Sequence, residues 1–589
     1  MSRPNPFARP ARPRGITDGI DITGLLRDKQ ATAQSVVNLY ALGYGPGLLE
    51  WFCKLRQSFG NLSEADAPFV AAVVSFHWVQ DDHINNEFLN LAVELVSYIP
   101  SFSRIVLAAA FRSFLPVSLS DHEVQIRARA SQVTPLLSHE AAAAWGHKLT
   151  GVVLKRIPSA GTVLESVLYA TVSEDIETHL PLLENALKIS DYLPTFTPCL
   201  VTFGTHMLST MDVNIVRTRE LAAEEESSED DVPRRRPAID IGLGVPVERS
   251  KGREREDTIM HTSSLGSPFT PGSLTTHRSL TDRLDMLHAS GVNTNQEDVE
   301  RQRLGDEERV FDQCMAAMIR WWQRADPARV QAGVINALDT ILLPTQNLRY
   351  SQFVVFTHVS LNPSQAEAVL THLLRTCFDP AQPMQRRLNS AFYIGSMLAR
   401  AGNVPLSIAE RAMGVMLDYC HSVARLVPRV DESMGQSLGG NKIAMFYVLF
   451  QAVIYALCFI LPEAAMEGLQ AGVEIVAESP LAPLAVVLPS VASEFARVAQ
   501  HHDFCAQALS APPPTVPPVL KALVNSLHLE SAFPFDPYPL PLAGELLQPL
   551  YREWRFEEDD HDEESDLTMG QLLPTYDRDA MPVDDWEVW

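Results

Sequence analysis

The sequence predicts an all-α protein: a HEAT-repeat-like α-solenoid interrupted by one long disordered acidic and Ser-rich insertion. Three observations point there. Apolar residues recur at three- and four-residue spacing over most of the chain, and almost nothing alternates with period two over a useful length. A corner sequence returns as Tyr98-Ile99-Pro100-Ser101, Arg156-Ile157-Pro158-Ser159 and Tyr192-Leu193-Pro194-Thr195. Proline cannot continue a helix, so each copy ends one helix and precedes another, with the Ser or Thr after it available as a cap. The proline spacings fit stacked helix pairs of roughly 40 residues with one insertion. Third, residues 385–401, QRRLNSAFYIGSMLARA, are apolar on most sides, as an inner helix of a stack requires. Gly395 costs that helix about 1 kcal/mol against alanine, which implies close approach by a neighbouring helix. Pro383 suits the first turn, and Gly402-Asn403 reads as a left-handed stop.

In chain order, residues 1–18 form a Pro/Arg arm without periodicity, expected to be disordered. Residues 19–218 carry the first set of helical repeats. Residues 219–305 break the pattern. They contain EEESSEDDVPRRRP and then turn rich in Ser, Thr, Gly and Pro, with too few large apolar residues to offset the entropy of ordering. Within them, Ser267-Pro268 and Thr270-Pro271 suit proline-directed kinases, although such dipeptides also arise by chance in disordered sequence. Arg234-Arg235-Arg236 reads equally as an import signal or a solvated charge run. The helical pattern resumes near Glu307 and fills 306–555. It begins with the stripe Val310, Cys314, Met318 and Trp322, then a helix ending near Leu343-Pro344. Helical segments follow over 351–361, 385–401, 406–426, 441–461 and 483–500. Residues 445–461 are apolar except for Gln451 but fall short of a usual membrane span, so they read as a buried solenoid helix. Residues 556–589 form an acidic tail.

The chain has 589 residues, 46% of them apolar, enough for a large core, and a net charge of −25. From Glu553 to Trp589 there are 14 acidic and 2 basic residues, close to half of that charge. Such a balance argues against a protein held to nucleic acid through phosphates, leaving direct DNA contact at most weak. It favours basic protein partners or, more simply, a solvated tail. The seven cysteines include no C-x-x-C pair and mostly have apolar neighbours, so they read as reduced core residues. The N-terminal arginines and prolines lack the apolar core of a signal peptide.

A search for chemistry yields near misses. The loop 435–442, GQSLGGNK, echoes a phosphate-binding loop, but Asn441 stands where lysine should be, Ile443 cannot reach magnesium, and no strand precedes it. It reads as a helix-entry loop. Gly242-Leu243-Gly244 lacks a third glycine. His501-His502 with Cys505 has no second ligand group nearby and reads as a surface helix end. Asp81-Asp82-His83 reads as a polar turn joining helices. No nucleophile, base and orienting group form a set, so neither an enzyme, a cofactor nor a metal is expected.

The second half carries a specific resemblance. Leu342-Leu343-Pro344-Thr345 is followed by Gln352-Phe353, then by Tyr393-Ile394-Gly395-Ser396-Met397-Leu398-Ala399-Arg400-Ala401. Phe446-Tyr447 with Gln451-Ala452-Val453 and Tyr455 comes next, then Pro483-Leu484 with Leu488-Pro489-Ser490-Val491. Phe533-Pro534-Phe535-Asp536-Pro537 and Tyr551-Arg552-Glu553-Trp554 complete the series. In this order these stretches resemble the RNA polymerase I-specific transcription initiation factors of the TIF-IA type. Ala485 and Ala532 depart from that family's usual lysine and tyrosine.

The resemblance implies a HEAT-repeat solenoid that binds RNA polymerase I near its stalk subunits and makes it competent to initiate. It would bridge the enzyme to the promoter-bound core factor at ribosomal RNA genes, in the nucleus and nucleolus, with phosphorylation adjusting the association and a homodimer when free. Polymerase-contact candidates are Ser101, Arg104, Lys155, Arg156 and Ser159 at the repeat corners, where caps and solvated turns would equally place such residues. The motif positions Tyr393, Gly395, Arg400, Gln451, Phe533, Pro534, Phe535, Asp536, Pro537 and Trp554 read as structural. The 533–537 motif either staples the last helix onto the stack or docks a partner, and Tyr551 with Trp554 would close the solenoid end. The competing class is a HEAT-repeat nuclear transport receptor or general scaffold, which calls for more regular repeats.

Overall fold

The computed structural model describes residues 45–74, 82–116, 124, 137–226, 296–345, 348–426, 440–505 and, with gaps, 509–553. Among these residues the chain is all-α, and the one backbone bridge of β type pairs Ala401 with Tyr551. The first half contains α1 (Gly45–Ser58), α2 (Ala67–Val73), α3 (Asp82–Tyr98) and α4 (Ser103–Arg112). It continues with α5 (His139–Arg156), α6 (Gly161–Thr171), α7 (His179–Tyr192) and α8 (Thr197–Glu226). Helices α3, α5 and α7 pack side by side in one layer, and α4, α6 and α8 form the second. Asp82 and His83 begin α3 and do not sit in a joining turn; Asp81 lies outside the described residues.

All three corners have the same backbone. Ile99, Ile157 and Leu193 sit at φ near −130° with ψ of 91°, 83° and 71°, clear of the α region that a following proline disfavours. A three-residue 3-10 turn follows each, and its third residue (Phe102, Ala160 or Phe196) is buried. The caps expected from Ser101, Ser159 and Thr195 are not made, because these residues lie inside the turn. Hydroxyls further along close it: Ser103 donates to the Pro100 carbonyl at 2.6 Å and Thr197 to that of Pro194 at 2.8 Å. At the middle corner Thr162 donates to Ser159 at 2.8 Å.

The second half contains α9 (Gln296–Trp322) and α10 (Pro327–Ala337), which runs into a π-helical turn at Leu338–Leu342. Then come α11 (Phe353–Leu361), α12 (Pro363–Phe378), α13 (Met384–Arg400), α14 (Leu406–Arg425) and α15 (Gly440–Ile460). The last are α16 (Glu467–Ala477), α17 (Pro489–His501), α18 (Pro518–Asn525) and α19 (Pro541–Leu547). Helix α9 packs on α7 and α8, and α10 on α8, so the two halves form one stack. Helix enters both ends of the 219–305 segment, to Glu226 and from Gln296. The second entry escapes apolar periodicity because 296–306 is a charged run of strong helix formers. Residues 227–295, with Arg234–Arg236, Ser267 and Thr270, lie outside the described residues, as do 1–44 and 554–589.

The 385–401 stretch is α13, buried from Ser390 through Arg400 and flanked by α12 and α15. A Cβ on Gly395 would sit 2.6 Å from the Ala452 Cβ and 2.8 Å from its Cα, so the two backbones touch there. The left-handed stop expected at Gly402 is not used. Ala401 turns extended at φ −81°, ψ 100°, and the Gly402 N–H donates to the Leu550 carbonyl at 3.1 Å. Helix α13 therefore ends on a tertiary partner. Helix α15, the one described helix long and apolar enough to cross a membrane, is enclosed by the rest of the stack. The expected 483–500 helix is split: Pro483–Ala485 is a 3-10 turn, and α17 starts at Pro489. Of the seven free cysteines five are buried, but Cys199 is half-buried and Cys53 is exposed, contrary to a core role for all.

Candidate functional site

Two places bring sequence-marked residues together. The first is the edge formed by the corners. Helix α5 lies between α3 and α7, so its C-terminal Lys155 and Arg156 fall between the ends of those helices. Ser101, Arg104, Lys155, Arg156 and Ser159 are all exposed. Arg156 Nε donates to Ser97 Oγ at 3.0 Å, which ties the end of α5 to the end of α3. Tyr98 and Tyr192, at equivalent positions on α3 and α7, are 59% and 38% exposed. Tyr192 leans back on α5, its Oη 3.1 Å from His147 Nδ1. Burial under the Phe114 ring, 4.5 Å away, pushes the His147 imidazole down to about 4 and keeps it neutral.

The second place is where the C-terminal segment crosses the second half. Phe535 is fully buried among Phe353, Phe356 and Tyr393, with ring centroids 5.4 to 5.7 Å away. Its N–H donates to Ser396 Oγ at 3.2 Å, and Gln352 Nε2 donates to the Pro534 carbonyl at 2.7 Å. Tyr551 donates to the Phe535 carbonyl at 2.7 Å and lies against Phe356, within the body of the stack. It does not close the solenoid's end. Phe533, Asp536, Pro537 and Trp554 lie outside the described residues.

Around this crossing, buried charges act as ties. Arg400 Nε donates to Tyr455 Oη at 2.9 Å, and its guanidinium faces the rings of Phe459 and Tyr551 at 4.4 and 5.2 Å. Arg552 donates to the carbonyls of Leu398 and Ala399 at 3.0 and 2.8 Å. These are orphan acceptors of the α13 C-terminus, where a cation suits the helix dipole. The same guanidinium holds Glu463 with two bonds of 3.0 and 2.9 Å. Gln451 donates to the Leu529 carbonyl and accepts from the Leu488 N–H, at 3.1 and 3.0 Å.

Two buried carboxylates escape a motif-based reading. Asp212, on α8, accepts from the N–H groups of Arg349, Tyr350 and Ser351 and from the Ser351 hydroxyl, at 2.8 to 3.1 Å through Oδ2. Burial raises its carboxyl above the usual range, and those four donors oppose the rise. Asp312, on α9, accepts from Leu542 and Ala543 at 2.8 Å each and so caps α19 from 230 residues away. Each lies in a helical apolar stripe (Met211 and Ile215, Phe311 and Met315), and an acid in such a stripe signals a buried partner. His501 and His502 touch each other's rings, and no group of three metal-ligating side chains occurs among the described residues.

A two-layered helical stack, tied internally by buried polar groups and carrying its candidate residues on exposed corners, is a helical-repeat protein. The chain belongs to the family described as RNA polymerase I specific transcription initiation factor RRN3, which matches residues 46–558. It is similar to the initiation factor rrn3 of Schizosaccharomyces pombe, at 23% identity over 88% of this chain and 82% of that one. It is also similar to RRN3 of Mus musculus, at 22% identity over 86% of this chain and 75% of that one. In fold it is similar to the crystal structure of RNA polymerase I transcription initiation factor Rrn3, with a TM-score of 0.56 and 17% identity. That match covers 90% of this chain and 96% of the other.

Proposed function

We propose that this protein binds RNA polymerase I near its stalk subunits, renders it competent to initiate, and bridges it to the promoter-bound core factor at ribosomal RNA genes. The observation that carries this reading is the family match across 46–558, which spans both halves of the stack. A solenoid offers a long surface on which two large partners can sit at once. The corner edge, with Ser101, Arg104, Lys155, Arg156 and Ser159 exposed on rigid helix ends, is the polymerase-facing surface in this account. The protein works in the nucleus, concentrated in the nucleolus, forms a homodimer when free, and has its association adjusted by phosphorylation. It acts by contact and not by catalysis.

Charge reversal tests the surface. The triple variant Arg104→Glu, Lys155→Glu, Arg156→Glu should lose most polymerase I recovery in a pull-down with the full-length chain, while staying folded: two acids in the last turn of α5 and the lost Arg156–Ser97 bond should cost only about 1–2 kcal/mol. Recovery equal to wild type removes these residues from the interface.

A further inference from the structure

We infer that residues 227–295 are a side module: the two halves of the stack hold each other across the roots of this connection, and stay one body with an intact polymerase surface when it is cut. Retention of the polymerase surface rests on the proposed function, whereas the cohesion of the halves does not.

The helices of one layer run parallel. Asn86 and Ser97 of α3 meet Lys148 and Arg156 of α5 in that order, at 2.9 and 3.0 Å. His147 and Gly151 of α5 face Asn185 and Tyr192 of α7. Glu177, just before α7, and Ser190 within it meet Arg309 and Trp321 of α9, at 2.6 and 3.1 Å. Phe311 of α9 packs on Tyr350, and Trp322 donates to His358 of α11. The starts of these helices therefore form one edge of the body and their ends the other. The corners follow the ends of α3, α5 and α7, whereas the 227–295 connection leads into the start of α9. It leaves from the edge opposite the corners, roughly 20 Å away for a helix of this length.

Contacts across the roots fasten them to each other and to their neighbours. Arg219, late in α8, donates to Glu308 of α9 at 2.9 Å and to Tyr350 Oη at 3.0 Å. Asp212, earlier in α8, holds the backbone of 349–351, and Arg309 reaches back to Glu177. The exposed ion pairs contribute little singly. The main hold is Asp212, which is 0% exposed, together with Met211, Ile215, Val310 and Phe311, each at most 3% exposed. With both roots fixed, the cost of closing the connection changes only slowly with its length, so the stack feels that length weakly.

The test uses the full-length chain carrying a site-specific protease recognition sequence within 227–295, before and after cleavage. Both pieces of the cut chain should co-elute in size exclusion and recover polymerase I as well as the uncut chain does. The Tm of the cut chain should rise with protein concentration, as for two associated pieces, and that of the uncut chain should not. With Asp212→Ala, the cut pieces should separate on dilution where those of the otherwise wild-type chain stay together; Arg219→Glu should have a smaller effect. Separation of the pieces of the otherwise wild-type chain overturns the inference, as does a cut chain that stays one body but loses polymerase. Cut Asp212→Ala that holds as tightly as the parent would overturn the role given to Asp212. If the uncut wild type recovers no polymerase, the proposed function fails, and co-elution of the cut pieces still decides whether the halves hold each other.

Discussion

A titratable group inside a helical stack has to find partners there or lose its charge, and both outcomes occur here. Asp212 keeps donors on every side and orders the turn that opens α11. His358 takes the other course. It is fully buried, accepts from Trp322 Nε1 at 3.1 Å through Nδ1, and so carries its proton on Nε2, 2.7 Å from Gln331 Oε1. Burial pushes this imidazole down to about 4 from its ordinary 6.5. The sign follows: between pH 6.5 and 4 the unfolded chain takes up a proton that the folded chain refuses. Stability is therefore full above pH 6.5 and falls as pH drops toward 4, by an amount on the order of 3 kcal/mol for this group. His147 contributes in the same direction. Urea unfolding at pH 7 and pH 5 should show about 2 kcal/mol of that loss in wild type, and a smaller loss in His358→Gln. An equal loss in the variant would show that His358 does not titrate as its burial demands. None of these roles is legible in the sequence, because Trp322, Gln331 and His358 are adjacent only once three helices have packed.

Elements were legible to the extent that their own residues decide them. The apolar period marks α13, α14 and α15, and proline marks the corners, since both effects act within one helix. What a helix meets at its ends was not legible. The stop of α13 comes from Ala401 and Gly402 meeting Leu550, Tyr551 and Arg552 of the C-terminal segment, about 150 residues later in the chain. That segment contains too little helix to show periodicity, yet it ties α9, α11, α13 and α15 together. Phe535 is its anchor. Phe535→Ala removes a ring that is 0% exposed and should cost about 3–5 kcal/mol, as buried aromatic truncations do. A thermal unfolding curve with the second half melting earlier is the expected readout. A Tm equal to wild type, together with lost partner binding, would make the segment a docking motif and not a structural tie.

At the scale of the molecule, the proposed function rests on shape and charge. The two layers run unbroken from the first half into the second through α7, α8, α9 and α10, leaving one long body with its candidate edge at one part of it. The all-α class was legible from periodicity alone, whereas the surface role was not: exposed serines and arginines look alike on a cap, a solvated turn and an interface. The resemblance across the collinear motifs supplied what composition could not, and of the motif residues Tyr393, Gly395, Arg400, Gln451 and Phe535 are buried in the body of the stack. Affinity purification of the full-length chain from nuclear extract tests the central claim most directly. Polymerase I subunits should co-purify in clear excess over those of polymerases II and III; equal recovery of all three, or of none, would contradict it.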